Sequence, residues 1–263
     1  MSEPTLEVEK AGAIAHVWMN RPGVHNALNE AMIDELAETF LHLGEDAAVR
    51  VIVLSGRGKS FSAGGDIEYM KRQGAAPGVE NLATARGLAQ MFHILATCPR
   101  PTIARVNGAA MGGGVGLVSV CDIAIASSTA IFAASEVRLG LIPSTIAPYV
   151  LRAIGPRQAG RLFQTGERID AARAEHIGLV HDTAEPDQLD ARIQSVIDNL
   201  LLGGPGAQNA AKSLIETLVN RPISRELMEE TAVRIAEIRS DPEAVEGLSA
   251  FLEKRPPDWA PQK

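Results

Sequence analysis

Two glycine-rich segments are the part of this sequence whose composition could do chemistry. They are FSAGGDI (residues 61–67) and GAAMGGGVGL (residues 108–117), and each follows an apolar run and precedes a helical pattern. The first backbone N–H groups of a helix have no partner inside it and point outward. Glycine has no side chain to keep a ligand away from those donors. Two such donors aimed at one oxygen would stabilise a developing oxyanion; the alternative interpretation is that both segments are ordinary tight turns.

The absence of other motifs argues against several classes of site. There is no GxSxG or HExxH pattern, and the six histidines are scattered, so neither a hydrolase triad nor a metal site is supported. Cys98 and Cys121 form no CxxC pair, and two reduced thiols are the simplest interpretation. A net charge of −7 makes nucleic acid an unfavourable partner, although a local basic spot could bind a small anion.

The elements that must position these segments alternate along the first half of the chain. LEVEK and AIAHVWMN predict two strands paired around Gly12, and NEAMIDELAETFLHLGED predicts a helix with Asn29 as its N-cap. VRVIVLSG predicts a strand buried on both faces, and GLAQMFHILATC predicts a helix that ends before Pro99. Strand–strand–helix units that repeat every forty to fifty residues or so indicate a stacked spiral.

From about residue 143 the pattern is almost entirely helical, and glycines and prolines mark the helix ends. We expect an α/β core over residues 1–199 and a C-terminal helical region over residues 200–263. The polar N-terminus MSEPTLEVEKAG is unlike a targeting segment, and no apolar run reaches the roughly 18 residues of a membrane helix. The expectation is a soluble, cytoplasmic protein with no membrane partner.

Five motifs in order resemble those of the enoyl-CoA hydratase/isomerase (crotonase) family, over almost the whole chain. They are MNRPGVHNAL (19–28), FSAGGDI, VNGAAMGGGVGL followed by CDIAIA, SEVRLGLIP (135–143) and AFLEKRPPDW (250–259). The resemblance implies a crotonase-type spiral of ββα units with a C-terminal helical region that serves oligomerisation. It also implies an acyl-CoA substrate, a homotrimer or a hexamer built as a dimer of trimers, and no cofactor other than the coenzyme A of the substrate.

The same resemblance implies roles for individual residues. The amides of Gly65 and Gly113 would bind the thioester oxygen, and the Glu136 carboxylate would transfer protons. Arg21, His25 and Lys254 are candidates for phosphate contacts. The segment AFLEKR (250–255), which contains Lys254, is expected to cover a neighbour's site. The Asp66 side chain has a simpler interpretation as an N-cap. The positions implied to contact substrate or coenzyme A are His25, Ala27, Ala63, Gly65, Asp66, Ile67, Glu68, Gly113, Pro143 and Lys254.

Gly116 departs from the family pattern. Hydratases of the family typically carry two glutamates, of which the second matches Glu136 and the first falls on Gly116. One interpretation is a void beside the reacting carbons that holds a C3 substituent or an ordered water. The other is that Gly116 permits close helix packing. Ser119, Ser144 and Thr145 are candidates for the group that replaces the missing carboxylate.

A lone glutamate leaves hydration and isomerisation open. Glu136 could add water to the C2=C3 bond of a 2-enoyl-CoA, or it could move a proton between C2 and C4 of a 3-enoyl-CoA. The segments around Gly116 and Glu136 resemble most closely the bacterial 3-methylglutaconyl-CoA and isohexenylglutaconyl-CoA hydratases, which favours a hydro-lyase acting on a branched glutaconyl-CoA. The alternatives are a 3-enoyl-CoA isomerase and a non-catalytic acyl-CoA-binding protein.

Overall fold

A computed structural model describes residues 4–219 and 221–261 of the chain. Two compact units make up the protein, one ending at Gln194 and the other starting at Ser195. The strands are β1 (Leu6–Ala11), β2 (Ile14–Met19), β3 (Val51–Gly56), β4 (Ser60–Ser62), β5 (Thr102–Val106), β6 (Ala109–Met111), β7 (Ile123–Ser127), β8 (Ile131–Ala133), β9 (Ile169–Asp170) and β10 (Asp182–Ala184). The helices are α1 (Glu30–Glu45), α2 (Ile67–Ala75), α3 (Gly78–Ala96), α4 (Gly113–Val120), α5 (Ala147–Thr165), α6 (Ala171–His176), α7 (Leu189–Leu202), α8 (Pro205–Leu218), α9 (Arg225–Arg239) and α10 (Pro242–Glu253).

The first unit is a spiral of strand–strand–helix turns. Its strands form two sheets, in the orders β1-β2-β3-β5-β7-β10 and β4-β6-β8-β9. In each successive turn the chain contributes one strand to the first sheet and the next strand to the second, as β3 and β4, β5 and β6, and β7 and β8 do. A helix then leads back, so neighbouring strands of successive turns are parallel. The predicted α/β spiral of ββα units is confirmed.

The first two strands follow the predicted hairpin. β1 and β2 pair antiparallel with Leu6 opposite Met19, and Gly12 turns the chain with a φ of 60°. Every residue of β3 is buried, because β2 and β5 pair with it on either side within the core of the unit. The predicted hairpin of β1 and β2 and the predicted buried strand β3 are both confirmed.

The helix starts beside the glycine-rich segments are also those predicted. The Asn29 side chain accepts a hydrogen bond of 3.0 Å from the Met32 amide at the start of α1. Asp66 accepts from the amides of Glu68 and Tyr69, at 3.1 and 3.2 Å, at the start of α2. Helix α3 does end before Pro99, but it begins at Gly78, well upstream of the predicted segment.

The second unit contains helices α8, α9 and α10. The predicted boundary between residues 199 and 200 and the observed division after Gln194 both fall within α7. Several large apolar side chains of this unit are exposed, most of all Ile223, Phe251 and Leu252, at 88%, 82% and 80%. Of the helices in the described ranges, none combines the length and apolar character that crossing a membrane requires.

Candidate active site

The two glycine-rich turns touch each other at the ends of β4 and β6. These strands are parallel neighbours, so the segments that leave them emerge at the same edge of the sheet. A Cβ atom added at Gly64 would lie 3.0 Å from the Gly113 nitrogen and 2.5 Å from the Met111 carbonyl oxygen. Only a residue without a side chain allows the two backbones to approach this closely.

The N–H group of Gly65 points away from Leu28, the residue with which Gly65 forms a parallel β-bridge. The Leu28 N–H donates to the Gly64 carbonyl at 2.7 Å, and the Leu28 carbonyl accepts from the Asp66 N–H at 2.9 Å. In a parallel bridge of this kind the middle residue, Gly65, directs its own N–H to the opposite side. The Gly64 amide is occupied by Ser62 Oγ at 3.2 Å. Within residues 4–219 and 221–261, the Gly65 N–H has no acceptor.

The second unpaired amide belongs to Gly113, the first residue of α4. The N–H groups of Val115 and Gly116 both donate to the Gly112 carbonyl, at 2.9 and 3.2 Å. These are the first bonds of the helix, and in the described part of the chain the Gly113 N–H has no acceptor. It lies at the positive end of the helix dipole, which favours negative charge on a ligand oxygen.

A Cβ atom added at any of the three consecutive glycines would lie against a different neighbouring atom. Gly112 has φ 48° and ψ −116°, and a Cβ there would lie 3.1 Å from Glu136 Oε1. At Gly113 it would lie 3.0 Å from Leu28 Cδ1, and at Gly114 2.5 Å from the Ser62 carbonyl oxygen. The start of α4 therefore contains poor helix formers because it is packed on several sides, in addition to presenting an amide.

Glu136 places its carboxylate against this helix start. It is the first residue of a 3₁₀ turn (Glu136–Leu139) that follows β8, and its Oε1 is the atom nearest a Cβ built at Gly112. Its Oε2 is buried and has no hydrogen-bond partner among the described residues. Burial raises the pKa of the Glu136 carboxyl, and a weaker opposing effect comes from its own backbone amide. A carboxyl group shifted toward neutrality can both accept and return a proton.

The structure corrects the interpretation of Gly116 as a void. A Cβ at Gly116 would lie 2.3 Å from Ile146 Cγ2 and 2.9 Å from Cε1 and Cζ of Phe92, so the space is already filled. Close packing is the interpretation that holds. Gly112, where a built Cβ faces the Glu136 carboxylate, is the N-cap of α4, and Gly116 is the fourth residue of that helix. Apolar groups occupy the direction in which the first glutamate would extend.

None of the three polar candidates for a substitute group hydrogen-bonds to Glu136 in the part of the chain that is described. Ser119 Oγ donates to the Val115 carbonyl at 2.9 Å, one turn back in the same helix. Ser144 is exposed, and Thr145 is half-buried. Glu136 is thus a buried carboxylate to which none of these three side chains is a hydrogen-bond partner.

Restoring the glutamate at residue 116 is expected to damage the protein. In Gly116→Glu the new side chain must displace Ile146 and Phe92, and its charge would be buried, so the loss in the free energy of unfolding should be on the order of 3 kcal/mol. Thermal unfolding measures this loss. The matched control is Gly87→Glu in α3, where a Cβ meets nothing within 4 Å. That variant should be as stable as the parent; equal stability of the two variants would contradict the packing argument.

The pH dependence of stability is expected to carry the signature of Glu136. Because its pKa is raised on folding, the native state holds this proton more tightly than the unfolded chain. The favourable contribution is present below the unfolded pKa and is lost as pH rises through the folded pKa. Glu136→Gln removes the titration, so its stability relative to the parent should increase from acidic to neutral pH. Urea unfolding at a series of pH values measures this; a constant difference would contradict it.

The residues implied to contact coenzyme A lie in different settings. Asp66 pairs with Arg21 Nη2 at 3.0 Å, so this arginine is committed to holding the turn. Arg21 also donates to the carbonyl of Ala27, which is a buried residue.

The other positions differ in exposure. His25 is exposed, with Nδ1 3.0 Å from Ser60 Oγ. Of the remaining positions, Ala63, Ile67 and Glu68 are exposed beside Gly65, Pro143 is buried, and Lys254, in the second unit, is exposed at the end of α10.

Three residues of this site were not predicted to act in catalysis: Leu28, Phe92 and Ile146. Leu28 lies within the quoted MNRPGVHNAL motif, which was the available signal. Phe92 and Ile146 are identified only by their packing against Gly116, a contact between segments distant in the chain. No local pattern reports such a contact.

Comparison with known proteins agrees with this geometry. The enoyl-CoA hydratase/isomerase family profile matches residues 9–262. A crotonyl-CoA hydratase of Syntrophomonas wolfei is 33% identical over 97% of both chains, and a short-chain-enoyl-CoA hydratase of Clostridium acetobutylicum is 34% identical over 94% of both. The crystal structure of an enoyl-CoA hydratase from Shewanella pealeana superposes with a TM-score of 0.94 at 41% identity, covering 97% of this chain and 96% of the other. With its touching glycine turns and its ββα spiral, the chain belongs to the enoyl-CoA hydratase/isomerase family and has the crotonase fold.

Proposed function

We propose that the protein is an enoyl-CoA hydratase, a lyase that adds water to the C2=C3 bond of a 2-enoyl-CoA thioester or removes it. The observation that carries the proposal is the pair of unpaired amides, Gly65 and Gly113, on two turns in contact, with the buried Glu136 carboxylate beside them. The names of the Syntrophomonas wolfei and Clostridium acetobutylicum relatives support the same activity.

The proposed mechanism divides the work between backbone and side chain. The thioester carbonyl oxygen accepts hydrogen bonds from the amides of Gly65 and Gly113, which draws electrons toward it and leaves C3 electrophilic. Glu136 takes a proton from water as the oxygen of that water bonds to C3. The negative charge passes through C2 to the thioester oxygen, and Glu136 then returns a proton to C2. No electrons are exchanged with a second reactant, so the reaction needs no cofactor beyond the coenzyme A of the substrate.

For the acyl group we propose a branched glutaconyl-CoA, with 3-methylglutaconyl-CoA as the compound to test. Support comes from the resemblance of the segments around Gly116 and Glu136 to hydratases of that class. The filled space at Gly116 removes one argument for it, because a C3 branch cannot lie where Ile146 and Phe92 already pack. The branch would have to lie on another side of C3.

A second candidate is the isomerisation of a 3-enoyl-CoA to a 2-enoyl-CoA. The observation that favours it is the buried Glu136 carboxylate with no second carboxylate at residue 116, since a proton shuttle between C2 and C4 needs one base and no water. The two amides would stabilise the same enolate in either reaction.

A panel of three substrates separates the candidates. The protein is incubated with 3-methylglutaconyl-CoA, crotonyl-CoA and a 3-enoyl-CoA, and absorbance and mass are followed. A gain of one water supports the hydratase, and its preference between the first two substrates tests the branched acyl group. A shifted double bond without a change of mass supports the isomerase. Binding of all three without turnover would overturn both and leave an acyl-CoA-binding protein.

We further propose a homotrimer, or a hexamer made of two trimers, assembled through the second unit. The exposed apolar side chains of Ile223, Phe251 and Leu252 support this, because large apolar groups at such exposure mark surfaces that associate. Sedimentation equilibrium of the full chain measures the mass of the assembly. The cytoplasmic location stays a prediction.

A further inference from the structure

Leu28 touches both of the turns that carry an unpaired amide. Its main chain bonds to the residues on either side of Gly65, through Gly64 O at 2.7 Å and Asp66 N at 2.9 Å. These two bonds hold the peptide groups that flank Gly65, and they therefore set the direction of its N–H.

The side chain of Leu28 reaches the other amide. Its Cδ1 lies 3.0 Å from where a Cβ would stand on Gly113, and the residue is only 2% exposed. A buried leucine in van der Waals contact cannot be shortened without letting its neighbours move toward the space it leaves. The length of this side chain therefore sets the distance between Gly113 and the segment of Leu28, to which the turn that carries Gly65 is bonded.

Leu28 is itself held on both sides along the chain. Two residues before it, Asn26 is fully buried with a φ of 55°. The Asn26 side chain accepts from the Arg21 amide at 2.9 Å and donates to the carbonyls of Arg57 and Ser60, each at 2.9 Å. One residue after it, Asn29 caps α1. Leu28 is thus a spacer whose own backbone has little freedom.

We propose that Leu28 is a positioning residue for the reaction, one that fixes the separation and direction of the two amides that grip the thioester oxygen. The inference rests on the proposed function, because it concerns the same two donors. Hydrogen bonds weaken steeply when their angle or length departs from the optimum, so a small shift of either turn lowers the polarisation of the carbonyl.

The test compares two buried leucines of one core. Leu28→Ala is set against Leu36→Ala, since Leu36 is also fully buried and lies in α1. Both variants should lose melting temperature to a similar extent. Only Leu28→Ala should lower kcat, by about 10- to 100-fold, with KM for the same 2-enoyl-CoA within about twofold. Leu28→Met, which conserves volume, should recover most of the lost kcat.

An infrared measurement reports how strongly the two amides polarise the thioester carbonyl. In a Glu136→Gln background, which slows turnover, the infrared stretching frequency of the thioester carbonyl of bound crotonyl-CoA reports its polarisation. Adding Leu28→Ala should move that frequency toward the value of the free thioester, and adding Leu36→Ala should leave it unchanged. If Leu28→Ala does not fold, Leu28→Val shortens the side chain less and replaces it.

Equal kcat and equal carbonyl frequency in the Leu28 and Leu36 variants would overturn the inference. Failure of the proposed function has a different signature in the parent protein. It would then either shift the double bond of a 3-enoyl-CoA without a change of mass or bind the enoyl-CoA compounds without turning any of them over. The carbonyl frequency would still decide the role of Leu28 in that case.

Discussion

Glu136→Gln is expected to reduce kcat for a 2-enoyl-CoA by about 10²- to 10⁴-fold while KM changes little, because the substitution removes the proton-transfer group and keeps its shape. Stability should not fall. The Oε2 atom has no hydrogen-bond partner among the described residues, and burial of the charged carboxylate is unfavourable, as the raised pKa of Glu136 indicates. Steady-state kinetics together with thermal unfolding at neutral pH measure both quantities.

The control for this substitution is Glu45→Gln, which makes the same change at an exposed position at the end of α1. It should leave kcat, KM and melting temperature unchanged. The pH profile adds a second criterion, since kcat/KM of the parent should fall on the acid side as Glu136 becomes protonated, and this limb should be missing in Glu136→Gln. Unchanged turnover in Glu136→Gln would remove this carboxylate from the mechanism.

Gly113→Pro is expected to lower kcat by about 10²- to 10³-fold relative to Gly113→Ala, the typical effect of losing one oxyanion donor. Gly113 is the first residue of α4, a position where proline is well tolerated because its missing N–H has no helical partner. The substitution therefore deletes one amide hydrogen at a point where the helix does not use it. Kinetics on the best substrate of the panel provide the measurement.

Gly113→Ala is the matched control because both variants add a Cβ at the same place. That atom would lie 3.0 Å from Leu28 Cδ1 in either case, so the steric effect of the Cβ is shared. The variants differ in the N–H group and in the two ring carbons with which proline replaces it. Similar melting temperatures would show that Gly113→Pro and Gly113→Ala are equally stable. Equal kcat values in two equally stable variants would show that the Gly113 amide does not act on the reacting oxygen.

The local features of the fold could be predicted because their interactions join residues close together in the chain. The cap of Asn29 on Met32 and the cap of Asp66 on Glu68 and Tyr69 each span two or three residues. The hairpin around Gly12 depends on one turn and two alternating strands. The unpaired amide at the start of α4 is likewise a local property, since every helix begins with such donors.

Family motifs carried the prediction further, to the order of the ββα units and the placement of Glu136 beside the glycine turns. The amino-acid pattern around Gly116, in contrast, was compatible with a void and with close packing. Glycine permits both, and the choice depends on which side chain arrives from elsewhere.

Packing between distant segments decided that choice. Phe92 comes from α3 and Ile146 is the residue before α5, and together they fill the space at Gly116. Leu28 comes from the segment before α1 and meets Gly113 at the start of α4. Such contacts depend on how whole helices and sheets are stacked, and no short-range hydrogen bond or periodicity encodes them. The local sequence therefore predicted unpaired donors in the two glycine-rich segments, and the family motifs identified Glu136. The spacing of these groups, and the burial that raises the pKa of Glu136, depend on the tertiary packing of the spiral.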